Sequence, residues 1–170
     1  MTGLRCSTLG PALLFLAALL VHSLAAANEL RGRIVGITDG DTVTVLTPAR
    51  TQKKVRLAGI DAPEKKQAFG EAAKRRMSEL AFQRDVVVHW DKLDRFGRIV
   101  GVVVVEGEDV GLALLRSGLA WHFKRYAHEQ TPSDRATYAR AEDLARAAGL
   151  GLWGEHQNIP PWQYRANRRH

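Results

Sequence analysis

The sequence predicts an α+β chain with a mainly β core, built as a small closed barrel of five strands that carries helices. Three observations predict it. Two β-rich runs flank Asp39-Gly40, and Asp-Gly between such runs is the strongest short signal for a hairpin. At Phe69 the spacing of apolar residues changes from that of a strand to that of a helix. Two more apolar runs of strand length follow, and then two helical stretches, so one helix comes after the third strand and two come after the fifth.

Leu30 to Ile37 alternates apolar and polar residues, and Thr42 to Leu46 completes the first hairpin. Thr47 to Gln52, with Pro48, reads as the next turn. Lys53 to Ile60 is expected as one continuous third strand, with Val55 and Leu57 on one face and Arg56 on the other. Pro63 ends it. Phe69, Ala72, Ala73, Met77, Leu80 and Ala81 then fall on one helical stripe. Val86 to Trp90 and Ile99 to Val105 are unbroken apolar runs, expected to be buried on both faces. Val110 to Arg116 reads as a short helix stopped by Ser117-Gly118. Thr131 is the expected N-cap of the last helix, with Pro132 in its first position and Asp134 in its first turn. Tyr138, Ala141, Ala145 and Ala148 mark its apolar face. Pro160-Pro161 is expected to forbid further helix, leaving residues 156–170 as a basic, aromatic tail.

Residues 1–27 have a different plan from the rest. Arg5 precedes the apolar run Ala12 to Val21, the small residues Ala25 to Ala27 follow, and no acid occurs before Glu29. That is the layout of a cleaved signal peptide, so the chain is expected to be exported, periplasmic or secreted, with no membrane anchor after cleavage. The single cysteine, Cys6, lies inside this leader, so the mature chain, residues 28–155 plus tail, has neither a disulfide nor thiolate chemistry. Without the leader, 24 Lys and Arg face 18 Asp and Glu. A surplus of that sign favours polyanionic partners such as nucleic acid, while leaving anionic lipid and cell-surface polymer open.

Three patches carry chemistry-bearing residues. Asp39-Gly40-Asp41-Thr42 suits a tight turn, but Asp41 opens a strand, where aspartate is disfavoured unless a cation uses it. No EF-hand spacing accompanies it. Arg56 to Glu64, RLAGIDAPE, sets an arginine close to two carboxylates, Asp61 and Glu64. Turn formation and a solvated acid are the plain alternatives there. Asp94-Arg95-Phe96-Gly97-Arg98 is either a charged hairpin tip or a turn that sets the planar fork of Arg98 on a phosphate. Hard cations take carboxylates, main-chain carbonyls and water, so Asp41, Asp61 and the carbonyl of Ala62 would suffice as protein ligands. His122 and His128 have no further His or Cys at ligand spacing, and zinc is rejected.

DGDT, RLAGIDAPE and DRFGR, in this order and at these intervals, resemble the staphylococcal nuclease (thermonuclease) family, and the similarity runs from about Arg31 to Trp153. The resemblance implies an OB-fold five-stranded β-barrel with three helices. It also implies a calcium-dependent, sequence-nonspecific nuclease that acts on DNA and RNA and leaves 3′-phosphate ends; faster cleavage is expected at alkaline pH, where hydroxide or ionised calcium-bound water is commoner. Carried onto matching positions, Asp41, Asp61 and the Ala62 carbonyl would hold Ca2+, and Glu64 would orient or deprotonate the attacking water. Arg56 and Arg98 would grip the phosphate. Asp39 and Thr42 would steady the ligands without touching the ion.

Ala62 stands where the founding member has threonine, a change that a main-chain ligand tolerates. The long lysine-rich loop after the Pro-Glu of that member is here only Lys65 to Ala68. Trp121, Phe123 and Tyr126 are candidates to stack on a base, with barrel packing the plain alternative. A noncatalytic nucleic-acid-binding barrel, or an envelope-binding module, would explain the charge but not the full set of acids and arginines. A monomer is the default expectation.

Overall fold

In this computed structural model residues 28–154 and 158–168 are described. The expected leader with Cys6 lies outside them, as does Arg169 of the tail. The strands are β1 (Asn28–Ile37), β2 (Thr42–Leu46), β3 (Gln52–Leu57), β4 (Ile60–Asp61), β5 (Asp85–Leu93), β6 (Ile99–Val105), β7 (Glu108–Asp109) and β8 (Trp121–His122). The helices are α1 (Gly70–Ala81), α2 (Val110–Arg116), α3 (Pro132–Ala147) and α4 (Pro161–Asn167), with short 3-10 turns at Lys124–Glu129 and Gly151–Gly154.

Antiparallel neighbours run in the order β3-β2-β1-β5-β6, and β3 then pairs with β6 in parallel to close a five-stranded barrel. This is the expected α+β, OB-fold architecture. The closing register sets Val55 opposite Ile99 and Arg56 opposite Val100, while β2 sets Thr42 opposite Arg56. Two segments far apart in sequence therefore meet at one end of β3. On β1 the register shifts between Ile34 and Gly36, where glycine permits a tight bend.

The barrel interior is filled by Ile34, Val43, Val45, Val55, Leu57, Val88 and Val103, all essentially inaccessible. Met77 of α1, Leu114 and Leu115 of α2 and Tyr138 of α3 close it against solvent. Each large apolar side chain buried this way contributes about 1.5–3 kcal/mol. The β5 and β6 runs were expected to be buried on both faces, but they alternate instead: Ile99, Gly101, Val103 and Val105 face inward, and Val100, Val102 and Val104 are only half-buried. A barrel strand has an inside and an outside, so a continuous apolar run overstates its burial.

Two further corrections matter for the site. The third strand is not continuous, because Gly59 turns it at φ 72° before β4 resumes. A Cβ there would lie 2.5 Å from Gln130 Nε2 and 2.9 Å from Tyr138, so only glycine fits that turn. Antiparallel pairing of β4 with β8 then holds Asp61 opposite Trp121. The tail is also helical. Proline lacks an N–H and has its φ fixed, which suits the first turn of a helix, and Pro161 opens α4 rather than forbidding it. At α3 the expectations hold: Thr131 Oγ1 accepts the Asp134 N–H at 3.1 Å and Pro132 follows it, although Ala148 is exposed.

Candidate active site

Asp41 is held immediately ahead of β2 because its turn is tied locally and packed from below. Asp39 Oδ1 accepts the Asp41 N–H at 3.1 Å, and the Asp41 carbonyl accepts the Leu57 N–H at 2.8 Å. Gly40 lies against the residue that follows β4 and against α1: a Cβ there would meet the Ala62 and Ala73 methyls at 2.7 Å each. That close approach lets the Ala62 N–H donate to Asp41 Oδ2 at 3.0 Å. Thr42 Oγ1 donates to Asp41 Oδ1 at 3.0 Å.

Arg56, on the outward face of β3, bridges the two acids. Its Nη1 lies 2.5 Å from Asp41 Oδ2, and its Nη2 lies 2.9 Å from Asp61 Oδ1. Asp61 is wholly inaccessible, and the Arg56 side chain is only 16% exposed. Two carboxylates and one guanidinium thus share a largely dry site. Burial pushes the Asp41 carboxyl up, but the Arg56 charge and the Ala62 and Thr42 donors outweigh it and hold Asp41 below the ordinary aspartate range. Asp61 goes the other way, because burial and the charge of Asp41 exceed what its arginines recover. Asp39 is pushed up to about 6, by burial first and by Asp41 second. Burial opposes the charge on Arg56, yet the two aspartates more than compensate and its pKa is raised.

Arg98 comes from the DRFGR turn. Asp94 Oδ1 accepts the N–H groups of Phe96 and Arg98, and Asp94 Oδ2 takes Arg98 Nε at 2.7 Å. The carboxylate therefore both shapes the turn and aims the guanidinium, whose Nη1 reaches Thr42 Oγ1 at 3.4 Å. These contacts hold the Asp94 carboxyl below its ordinary value despite some burial.

A cleft of about 790 Å³ gathers the predicted residues Asp39, Asp41, Arg56, Ala62, Glu64 and Arg98 along its wall. Asp61 lies behind the arginines, and Thr42 joins through Asp41 and Arg98. The stacking candidates divide. Trp121 is buried edge-on to Trp153 at 5.7 Å between ring centroids, so its role is packing. Phe123 and Tyr126 both line the cleft, with Tyr126 exposed. His122 packs against Tyr138 with its Nε2 on Gln130, and His128 is exposed.

Sequence reasoning missed one member of this cluster. Arg165, on α4, donates to Asp61 through Nη2 at 2.7 Å and Nη1 at 3.2 Å, and to Glu64 Oε1 at 2.6 Å. Its pKa is raised: burial opposes the charge, and Asp61 and Glu64 overcome it. The tail's mixture of arginines and aromatic residues was its only signal.

The family model for staphylococcal nuclease homologues matches residues 54–155, a span that includes Arg56, Asp61, Ala62, Glu64 and Arg98. An uncharacterized endonuclease of Haemophilus influenzae is 39% identical over 137 residues, which is 81% of this chain and 74% of that protein. A micrococcal nuclease of Shigella flexneri is 37% identical over 158 residues, 88% of each chain. Protein ParB of Escherichia coli is 39% identical over 166 residues, 91% of this chain and 90% of its own.

Proposed function

Because the chain belongs to the family of staphylococcal nuclease homologues, hydrolases that act on nucleic acid, we propose that it is an exported, calcium-dependent, sequence-nonspecific nuclease that cuts DNA and RNA to leave 3′-phosphate ends. The observation that carries this reading is the convergence of Asp41, Arg56, Glu64 and Arg98 on one cleft from three separate segments, with Asp61 behind them.

The donor set fits calcium. Asp41 and Asp61 lie close enough to share one guanidinium, so their carboxylates are also close enough to be ligands of one cation. Among the described residues no three His, Cys, Asp or Glu cluster as metal ligands. The proposed set is two carboxylates and the Ala62 carbonyl, hard oxygens of the kind calcium takes, with water completing the shell. When bound, calcium supplies a Lewis acid and a template for the phosphodiester.

The protein's own residues do the rest. Arg98, aimed by Asp94, offers a preorganised planar fork to the non-bridging phosphate oxygens and stabilises the charge that builds there. Arg56 adds a second positive charge from the barrel wall. Glu64 lies at the rim of the same cleft, where it orients the attacking water or takes its proton. As the oxygen of water bonds to phosphorus, the bond from phosphorus to the 5′ oxygen breaks, that oxygen takes up a proton and leaves as a 5′ hydroxyl, and the phosphate stays on the 3′ side. Asp39 and Thr42 hold Asp41 in place. Export rests on the layout of residues 1–27.

The test is digestion of plasmid DNA and of RNA by the mature chain, with calcium and then with a chelator, between about pH 7 and pH 10. Cleavage that needs calcium, rises with pH and leaves ends that a phosphatase must open before polymerase extension is the expected result. Binding without cleavage would instead identify a noncatalytic nucleic-acid-binding barrel. N-terminal sequencing of the exported protein should begin near Asn28.

A further inference from the structure

We propose that α4 is a strap that calcium displaces, with Arg165 seated on the carboxylate that the cation requires. The inference rests on the calcium reading above. Asp61 receives Arg56 Nη2 and Arg165 Nη1 on Oδ1, and Arg165 Nη2 on Oδ2. Both of its oxygens are engaged by guanidinium groups, and Arg165 also engages Glu64. A cation drawn to Asp61 must therefore compete with two arginines already seated on its oxygens.

The two are not equally free to withdraw. Arg56 belongs to a strand paired on both sides, opposite Thr42 and Val100. Arg165 belongs to a seven-residue helix whose only buried residue is Pro161 and whose N-cap, Pro160, supplies no side-chain bond. A helix this short does not stand alone in water. Besides Arg165 it is held by Trp162, stacked on Phe123 at 5.5 Å and edge-on to the buried Trp121 at 6.5 Å, by Tyr164 Oη donating to the Lys66 carbonyl at 3.0 Å, and by Gln67 Nε2 donating at 2.7 Å to the carbonyl of Ile159 just ahead of the helix. Trp162 is itself 40% exposed, so solvent reaches its ring even with the helix in place. Calcium and the closed helix therefore compete for Asp61, and release of the helix also uncovers Phe123 in the cleft. Trp162 and Arg165 lie beyond residue 155, outside the span that the family model matches.

Competition has a measurable form. If the strap is closed about nine-tenths of the time, the apparent dissociation constant for calcium is raised about tenfold. The mature chain, Arg165→Gln and Trp162→Ala should be titrated with calcium alone by calorimetry, and the amides of α4 followed by hydrogen exchange with and without calcium. Both variants should bind calcium about tenfold more tightly than the parent. Trp162→Ala keeps the charge of Arg165, so tightening there reflects release of the helix rather than loss of a repelling cation. Calcium should speed exchange at Tyr164 and Arg165 in the parent. Equal calcium affinity in all three proteins, or α4 amides that stay equally protected, would overturn the strap and leave the calcium site standing. No calcium binding by any of the three would overturn the calcium reading and the strap with it.

Discussion

Two arginines reach the same buried carboxylate from opposite kinds of structure. Arg56 stands on a strand of the closed barrel, 16% exposed and pinned between two aspartates. Arg165 stands on a terminal helix, 37% exposed, and touches Asp61 and Glu64 from the solvent side. Their distances to Asp61 are nearly the same, 2.9 Å and 2.7 Å. Distance therefore does not tell a permanent ion pair from a releasable one. The backbone behind each guanidinium does, together with how much water surrounds it, because buried pairs are screened much less than exposed ones.

The largest effect should come from Arg56→Ala. It leaves Asp41 and Asp61 facing each other with only Arg165 nearby, and removing one partner of a buried pair costs about 3–5 kcal/mol. Chemical denaturation of the mature chain at neutral pH measures it. If the loss is small, Arg56 is not what holds the acids together, and the contrast with Arg165 disappears. Arg98→Ala comes next, and its effect falls on the reaction rather than the fold. Arg98 touches no buried carboxylate, so stability should change little. Losing a preorganised donor should lower turnover by about 10²–10³-fold, measured as initial rates of plasmid cleavage with calcium. Turnover near that of the parent would remove Arg98 from the phosphate.

Gly40→Ala should fall below both. The added methyl would press on Ala62 and Ala73 at 2.7 Å, and both are fixed, one by β4 and the other by α1. Overpacking of this kind costs about 1–3 kcal/mol, and here it also pushes Asp41 away from the Ala62 N–H. The informative readout is whether stability and calcium affinity fall together, since a turn that only links two strands would lose the first without the second.

Much of this was legible in the sequence because it is local. Asp39-Gly40 makes a turn by its own chemistry, Thr131 caps α3 through a bond three residues on, and Asp94 closes the DRFGR turn on itself. The identities of the acids and arginines were legible too, through the spacing of three motifs. What closure does to those residues was less visible. Nothing in Lys53 to Ile60 shows that Gln130 and Tyr138 back onto Gly59 and break the strand. Val100, Val102 and Val104 read as core because apolar composition does not say which face of a barrel a residue takes. Arg165 was the least legible of all. It lies 101 residues from Glu64, and two prolines before it resemble a stop signal until their position at a helix start is known.

The smallest effect, and the sharpest test of the contrast, is the stability of Arg165→Ala. The variant removes a bidentate contact, but Asp61 keeps Arg56, and Glu64 is 36% exposed and can turn to water. A partly exposed pair at the end of a short helix contributes about 0–1 kcal/mol. The same denaturation series used for Arg56→Ala should therefore place Arg165→Ala close to the parent. A loss approaching that of Arg56→Ala would make α4 a structural wall of the barrel rather than a strap across its cleft, and calcium would then have to bind with both arginines in place.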